Sequence, residues 1–393
     1  MTGRADLLPL DAIDQLPFTP AEYNARLAAC RKAMREREID YLVLNSPENI
    51  YYLSGFITRG YYVFQALVVT HSSEPTLVVR RYEQVNVERL SYYRNAAIWQ
   101  DTDVPAEVLA RRLFDLGAAG KTVGVDANSV FFPVSAYETL RAMLPGAKFI
   151  NGSSVMEGRA VKSPQEIAYI RRAAEARNAG FKAAHEATRP GRTENDVAAA
   201  FHYAAISAGS EYMAGPPYIV SGPRTALPHG TWAGRRIEKG DLVQVEGSGN
   251  WRRYSASLMR TWSMGKPSDS VRRAADASKS ALDSAIAAIK PGATSGDVDA
   301  ACRGAVARAG LAHAFVHRTG YSVGVGICPG WGEGAIMDLK DGDSRVLRPG
   351  MVFHIVPVLF PEPDVSVGVS ALVLVTQTGA EIISDYSRDL QCE

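Results

Sequence analysis

The chain has 393 residues, too many for one ordinary domain, so two are expected. With 46% hydrophobic and 22% charged residues it has ample core material, which excludes a disordered chain. A formal net charge of +1, with arginine pairs scattered along the chain, argues against a nucleic-acid partner, and no apolar run approaches the roughly 18 residues of a membrane span.

The opening MTGRADLLPLDAIDQLPFTP has no secretory h-region. The cysteines Cys30, Cys302, Cys328 and Cys392 form no CxxC pair and no regular framework, so a reduced, cytoplasmic protein is expected. Residues 21–38 carry apolar positions at helical spacing. The runs at 39–46, 64–70, 75–81 and 121–127 read as buried strands, with a helix over 104–120. Strands alternating with helices predict an α/β N-terminal domain over residues 1–158.

At VKSPQE, Ser163 is an expected N-cap, Pro164 fits the first helical position and Glu166 completes a capping box for a long helix to about residue 188. The second domain, 159–393, then repeats itself. RPGRTENDV begins at Arg189 and KPGATSGDV at Lys290, an offset of 290 − 189 = 101 residues. Each copy has a helix end, a basic-Pro-Gly turn, a threonine cap and a second helix, and strands follow. Two pseudo-symmetric ααββ halves with their strands in one curved antiparallel sheet are expected; a solenoid would need more and shorter copies.

Four polar residues fall on the strands or strand ends of this domain: His229, Glu246, Tyr321 and His354. Glu246 ends the apolar run VQVEG, where burying a lone carboxylate is costly. The bland alternative is an ion pair with Arg253 or Arg260. His229 lies in a Pro-His-Gly loop and could be a surface histidine; His354, in an apolar strand, could be a satisfied core histidine. His317 is open to either reading. Trp331 and Glu333, in CPGWGEG, mark a tight turn first and a pocket lid second.

In order along the chain stand NIYYLSGF, VKSPQEIAYIRRA, PHGTW, GDLVQVEG, YSASLMRTW, HRTGYSVG, RPGMVFHIVP and ALVLVTQTG. Together these resemble the pita-bread superfamily of creatinase, prolidase and methionine aminopeptidase, over most of the chain. Metallopeptidases of that superfamily bind two metals through two aspartates, a histidine and two glutamates. The matching positions here hold Glu246, Ser257, Tyr321, Val356 and Ser370, and one carboxylate cannot hold two hard divalent cations. The resemblance therefore implies no metal and no other cofactor, and points to the metal-free branch that contains creatinase and ectoine hydrolase.

By that resemblance, Glu246 is the expected nucleophile or water-activating base and His229 the proton shuttle. The reaction implied is hydrolysis of a non-peptide C–N bond in a small amidine, guanidine or cyclic zwitterion. Arg59 and Tyr62 would reach a substrate in the partner's site of a homodimer, and Tyr254, Arg260, Tyr321, Trp331, Glu333 and His354 would line the pocket. The chain departs from ectoine hydrolase in a last core strand, SVGVSALVLV, without carboxylates, and in the basic loop at Arg59. A lyase or biosynthetic enzyme using a Glu/His proton-transfer pair is the alternative. An inactive binding module and a metallopeptidase are the weaker readings.

Overall fold

Capping hydroxyls and prolines start the first two helices. Thr19 accepts a hydrogen bond from the Glu22 amide ahead of α1 (Pro20–Glu36), and Ser46 does the same for Asn49 ahead of α2 (Pro47–Ser54). The computed structural model describes residues 16–327, 329–333, 336–383 and 386–393; Cys328 and Gly334 of CPGWGEG lie outside the described residues. The chain divides into two units, one ending at Gly158 and one spanning Arg159–Glu393.

The first unit holds a six-stranded sheet. Its strands are β1 (Tyr41–Leu44), β2 (Ala66–Thr70), β3 (Thr76–Arg80), β4 (Ala96–Trp99), β5 (Thr122–Val125) and β6 (Lys148–Asn151), in the order β4-β3-β2-β1-β5-β6. Strands β1, β5 and β6 run parallel, as do β3 and β4, while β2 is antiparallel to both neighbours. Successive residues face opposite sides. Leu42, Leu44, Leu67 and Leu77 pack with Leu27 and Met34 of α1, while Val43, Val68 and Val78 pack with Leu109, Leu113 and Leu140. Both faces are covered, which is why the strands read as continuous apolar runs. The helices α3 (Gln84–Leu90), α4 (Pro105–Asp115) and α5 (Val134–Met143) complete this α/β unit.

The second unit opens with α6 (Pro164–Ala187), held by the reciprocal capping box of Ser163 and Glu166. The repeat follows as α7 (Glu194–Ser207) and, after α8 (Asp269–Ala288), α9 (Ser295–Arg308). Both α7 and α9 start in a Thr/Asp capping box, Thr193 with Asp196 and Thr294 with Asp297. Gly191 and Gly292 occupy the same left-handed turn position at φ 91° and 88°, which explains the glycine in both basic-Pro-Gly turns.

The strands of this unit form two main sheets. One contains β7 (Tyr218–Ser221), β8 (Leu242–Trp251), β9 (Tyr254–Ser263) and, parallel to β9, β17 (Gln391–Cys392). The other runs β11-β10-β12-β15-β16, where β10 is Gly320–Ser322, β11 Asp338–Leu339, β12 Val352–Ile355, β15 Ala371–Val375 and β16 Ala380–Ile382. A hairpin of β13 (Val358–Glu362) and β14 (Val365–Gly368) precedes β15. The two main sheets adjoin at a seam, where the Ser370 amide donates to the Met259 carbonyl (3.3 Å), in keeping with the expected pita-bread arrangement. There the Met259 amide donates to Ser370 Oγ (2.7 Å), and Arg260 Nη1 donates to the Met259 and Ser370 carbonyls (2.6 and 2.8 Å). Among the described residues no helix is long and apolar enough to cross a membrane.

Candidate active site

Strand alternation explains why a carboxylate ends an apolar run. Val243 and Val245 of β8 turn inward and pack with Phe181, Val197 and Phe201 from α6 and α7. Glu246 therefore turns to the other side of the sheet, opposite Tyr218 on β7 and Met259 on β9. Close packing of the helices behind it needs Gly247 and Gly249: a Cβ at Gly249 would run into the Ala173 carbonyl.

The Glu246 side chain is 13% exposed. Burial pushes its pKa up to about 7, against the lowering pull of the neighbouring Tyr321 hydroxyl and of the Arg318 charge. Neither Arg253 nor Arg260 pairs with it. Arg253 is taken by Glu211 and by the Tyr212 and Gly326 carbonyls, and Arg260 by four backbone carbonyls. Instead Glu246 Oε1 lies 3.9 Å from His354 Nδ1. His354 is fully buried, and burial together with Arg177, Arg260 and Arg318 brings its pKa down to about 3, so it is neutral.

Tyr321 joins these groups. Its hydroxyl is 2.8 Å from His354 Nδ1 and accepts a hydrogen bond from Trp331 Nε1 at 2.8 Å. Gly332 lets the Trp331 loop lie on Tyr321, because a Cβ there would stand 2.7 Å from the tyrosine ring. Trp331 also packs on Tyr218 (centroids 5.1 Å), and Tyr218 packs on His229 at the same separation. His229 is exposed and has a left-handed backbone, φ 58°. Tyr218 thus links His229 to the strand position facing Glu246.

The structure brings together Glu246, Tyr321, His354 and Trp331, with His229 alongside through Tyr218. It does not bring Tyr254, Arg260 or Glu333 to that group as free functional groups. Tyr254 is buried and donates to Glu166 Oε1 (2.7 Å), tying β9 to the start of α6. Arg260 clamps the seam. Glu333 is buried in an ion pair with Lys162 (2.5 Å), with Arg159 at 3.4 Å, so its carboxylate holds the loop in place. His317 bonds the Arg318 carbonyl through Nδ1. In the first unit, Arg59 lies over the Tyr61 ring at 5.3 Å, and Tyr62 is 79% exposed.

Sequence reasoning missed Tyr218, Ser370 as a hydrogen-bonding group, and Arg318. Arg318 stacks over Tyr321 at 4.9 Å and pairs with Asp338 at 3.1 Å. Its place three residues before Tyr321 in HRTGYSVG was the available signal; Tyr218 needed the β7–β8 register, which no local pattern supplies.

Comparison with known families and folds places this arrangement. Residues 168–377 match the model of metallopeptidase family M24, and residues 26–161 match the creatinase/prolidase N-terminal domain. The chain belongs to the M24 family. An ectoine hydrolase from Halomonas elongata is 30% identical, with 95% of this chain and 98% of that protein covered. An Xaa-Pro dipeptidase from Pyrococcus furiosus is 28% identical, covering 93% and 99%. Among solved structures, dipeptidase PepE from Mycobacterium ulcerans superposes with a TM-score of 0.82 at 29% identity, covering 95% of this chain and 99% of that one. A prolidase from Thermococcus sibiricus shares the fold, with a TM-score of 0.86 at 23% identity and coverage of 94% and 99%.

This M24 protein thus has a hydrolase scaffold, and its donor set can be tested against the metals the family name implies. Val356 offers no donor and packs with Met259 and Val358. The Ser370 hydroxyl is held by His354 and the Met259 amide, and the Tyr321 hydroxyl by Trp331 and His354. Ser257 Oγ is a neutral hydroxyl, which leaves Glu246 as the one carboxylate of the five. Among the described residues no group of three or more His, Cys, Asp or Glu could hold a metal ion. These residues do not fit a dinuclear metal site.

Proposed function

We propose that this M24 protein is a metal-independent hydrolase cleaving a non-peptide C–N bond of a small amidine, guanidine or cyclic zwitterion. One observation carries the reading. Glu246 is a largely buried carboxylate with no Lys or Arg in salt-bridge contact among the described residues, at a position where family metallopeptidases hold a metal ligand. A buried anion with no cation in direct contact favours a cationic group beside it, and an amidinium or guanidinium supplies one.

In this reading Glu246 takes a proton from water, the water oxygen bonds to the electrophilic carbon, and the C–N bond breaks. His229, which stands at the open side of the site, takes that proton from Glu246 and passes it to the departing nitrogen; water is consumed, both side chains return to their starting forms and no electrons change hands. The Tyr321 hydroxyl steadies the carboxylate before the proton arrives. The likeness to ectoine hydrolase supports a non-peptide substrate. The likeness to prolidases and dipeptidases favours a second reading, a peptidase, against which the donor set weighs. We also assign Arg59 and Tyr62 to the substrate's anionic end in the partner's site of a homodimer, a reading that rests on the creatinase-type N-terminal domain.

The test is a panel of cyclic amidines, guanidino acids and Xaa-Pro dipeptides incubated with the protein and read by mass spectrometry. Water gain by an amidine or guanidine supports the proposal. Cleavage of the dipeptides alone overturns it in favour of a peptidase, and loss of a fragment without water uptake in favour of a lyase.

A further inference from the structure

Three buried hydrogen bonds run in series from the seam of the two sheets toward Glu246. The Met259 amide reaches Ser370 Oγ (2.7 Å), Ser370 Oγ reaches His354 Nε2 (2.7 Å) and His354 Nδ1 reaches the Tyr321 hydroxyl (2.8 Å), while Glu246 Oε1 lies beside this last bond, 3.9 Å from His354 Nδ1. Trp331 Nε1 joins at Tyr321 from the side (2.8 Å).

Most members can either donate or accept, so a heavy-atom chain alone has no direction. Two members cannot change roles. A backbone N–H and an indole N–H only donate. The Met259 amide therefore makes Ser370 Oγ an acceptor on that side. Ser370 is fully buried, and the only other group at its hydroxyl among the described residues is His354 Nε2. Its proton must go there, or be left as a buried unsatisfied donor.

The consequence runs outward. An imidazole that accepts at Nε2 carries its proton at Nδ1 when neutral. Nδ1–H then donates to the Tyr321 oxygen. With Trp331 this fills both lone pairs of that oxygen, and the phenolic proton is left to point at Glu246. The reverse direction requires Glu246 to be protonated and donating to Tyr321, and it leaves the Ser370 proton without an acceptor.

We infer that Ser370 and His354 are positioning residues that set the direction of this chain, fixing His354 as the Nδ1–H tautomer and Tyr321 as an obligate donor to the Glu246 carboxylate. Ser370 stands where family metallopeptidases place a metal-binding glutamate, so a hydrogen-bond chain here stabilises the anion where a cation would otherwise do so. The inference takes Glu246 to be the reactive carboxylate of the proposed function, but its tests need no substrate.

Other charged or titratable groups act on these two side chains. Arg318 and Tyr218 act on Glu246, and Arg177, Arg260 and Arg318 act on His354. The three arginines disfavour the imidazolium, so His354 has two neutral tautomers to choose between, and the chain decides which.

The test uses the full-length protein labelled with ¹⁵N-histidine and ¹³C-carboxyl glutamate. His354 and Glu246 are assigned from signals missing in His354→Gln and Glu246→Gln. Above neutral pH, His354 should be the Nδ1–H tautomer. Ser370→Ala, which removes a hydroxyl bonded to the Met259 amide and His354, should admit the Nε2–H tautomer and move the Glu246 titration midpoint up by about one pH unit. Tyr321→Phe should move it at least as far, and Ser370→Thr should restore both readouts. Should Ser370→Ala not fold, wild type and Ser370→Thr still decide the tautomer. An Nε2–H tautomer or an imidazolium in the wild type overturns the inference. So does a Glu246 midpoint unmoved in Ser370→Ala while Tyr321→Phe moves it. Absence of hydrolysis with the tautomer as stated counts against the proposed function and not against this chain.

Discussion

Glu246 Oε1 and His354 Nδ1 lie 3.9 Å apart without forming an ion pair, because one environment moves their pKa values in opposite directions. Burial raises Glu246 to about 7 and brings His354 down to about 3. Near neutrality the pair carries at most one negative charge. A base poised close to the working pH is well placed for proton abstraction.

A stability difference follows for Glu246→Gln. The folded chain keeps the Glu246 proton up to about pH 7, whereas the ordinary carboxyl value is 4.5. Between those values the folded state binds the extra proton, so stability falls as pH rises through this window, and the full cost is present above about 7. Glu246→Gln removes it. The variant should be more stable than wild type by about 3 kcal/mol above pH 7, and the gain should vanish toward pH 4. Urea unfolding at the two pH values measures this, and a variant less stable than wild type at pH 8 contradicts it.

His229→Ala should lower turnover at least about a hundredfold, the usual scale for a lost proton-transfer group. The residue is exposed, so the melting temperature should stay close to that of wild type. Unchanged turnover would remove His229 from the mechanism and leave its ring as cover for Tyr218.

Glu333 and Lys162 should behave as a structural pair. Their side chains are 1% and 0% exposed. Removing one partner leaves the other charge buried, at a cost of about 3–5 kcal/mol. Glu333→Gln and Lys162→Met should each lose that much in urea unfolding, and the double variant less than the sum. A Glu333→Gln variant of full stability and altered KM would return Glu333 to the substrate.

Arg59→Ala and Glu246→Gln subunits, each inactive alone, should recover activity when mixed if Arg59 serves the partner's site. About a quarter of the wild-type activity is the ceiling for random exchange with one intact site per mixed dimer. Stable dimers that exchange subunits without recovering activity would show that Arg59 does not act across the interface.

Much of the architecture was legible because its signals are local. Ser163, Pro164 and Glu166 mark a helix start without reference to anything distant, and the turns before Thr193 and Thr294 announce the repeat. The strands β4 and β6 escaped, since AAIW and KFIN are short and only partly buried. Within the site, Glu246 stood out as a carboxylate closing the apolar run VQVEG, although it is not the strand end expected, since β8 continues through it to Trp251. Its surroundings did not. Tyr254 and Arg260 follow it on the next strand, yet Tyr254 is committed to Glu166 and Arg260 to the seam carbonyls. Ser370 is one of many serines until the two sheets meet and Met259 is found against it.

The central claim is hydrolysis driven by Glu246 without a metal. Its most direct test is turnover of an amidine or guanidine substrate by chelator-stripped protein, wild type beside Glu246→Gln. The account predicts that stripped wild type keeps its full rate and that Glu246→Gln loses a factor of roughly a thousand, about 4 kcal/mol in barrier. Loss of the wild-type rate on stripping, restored by a divalent metal, would contradict it.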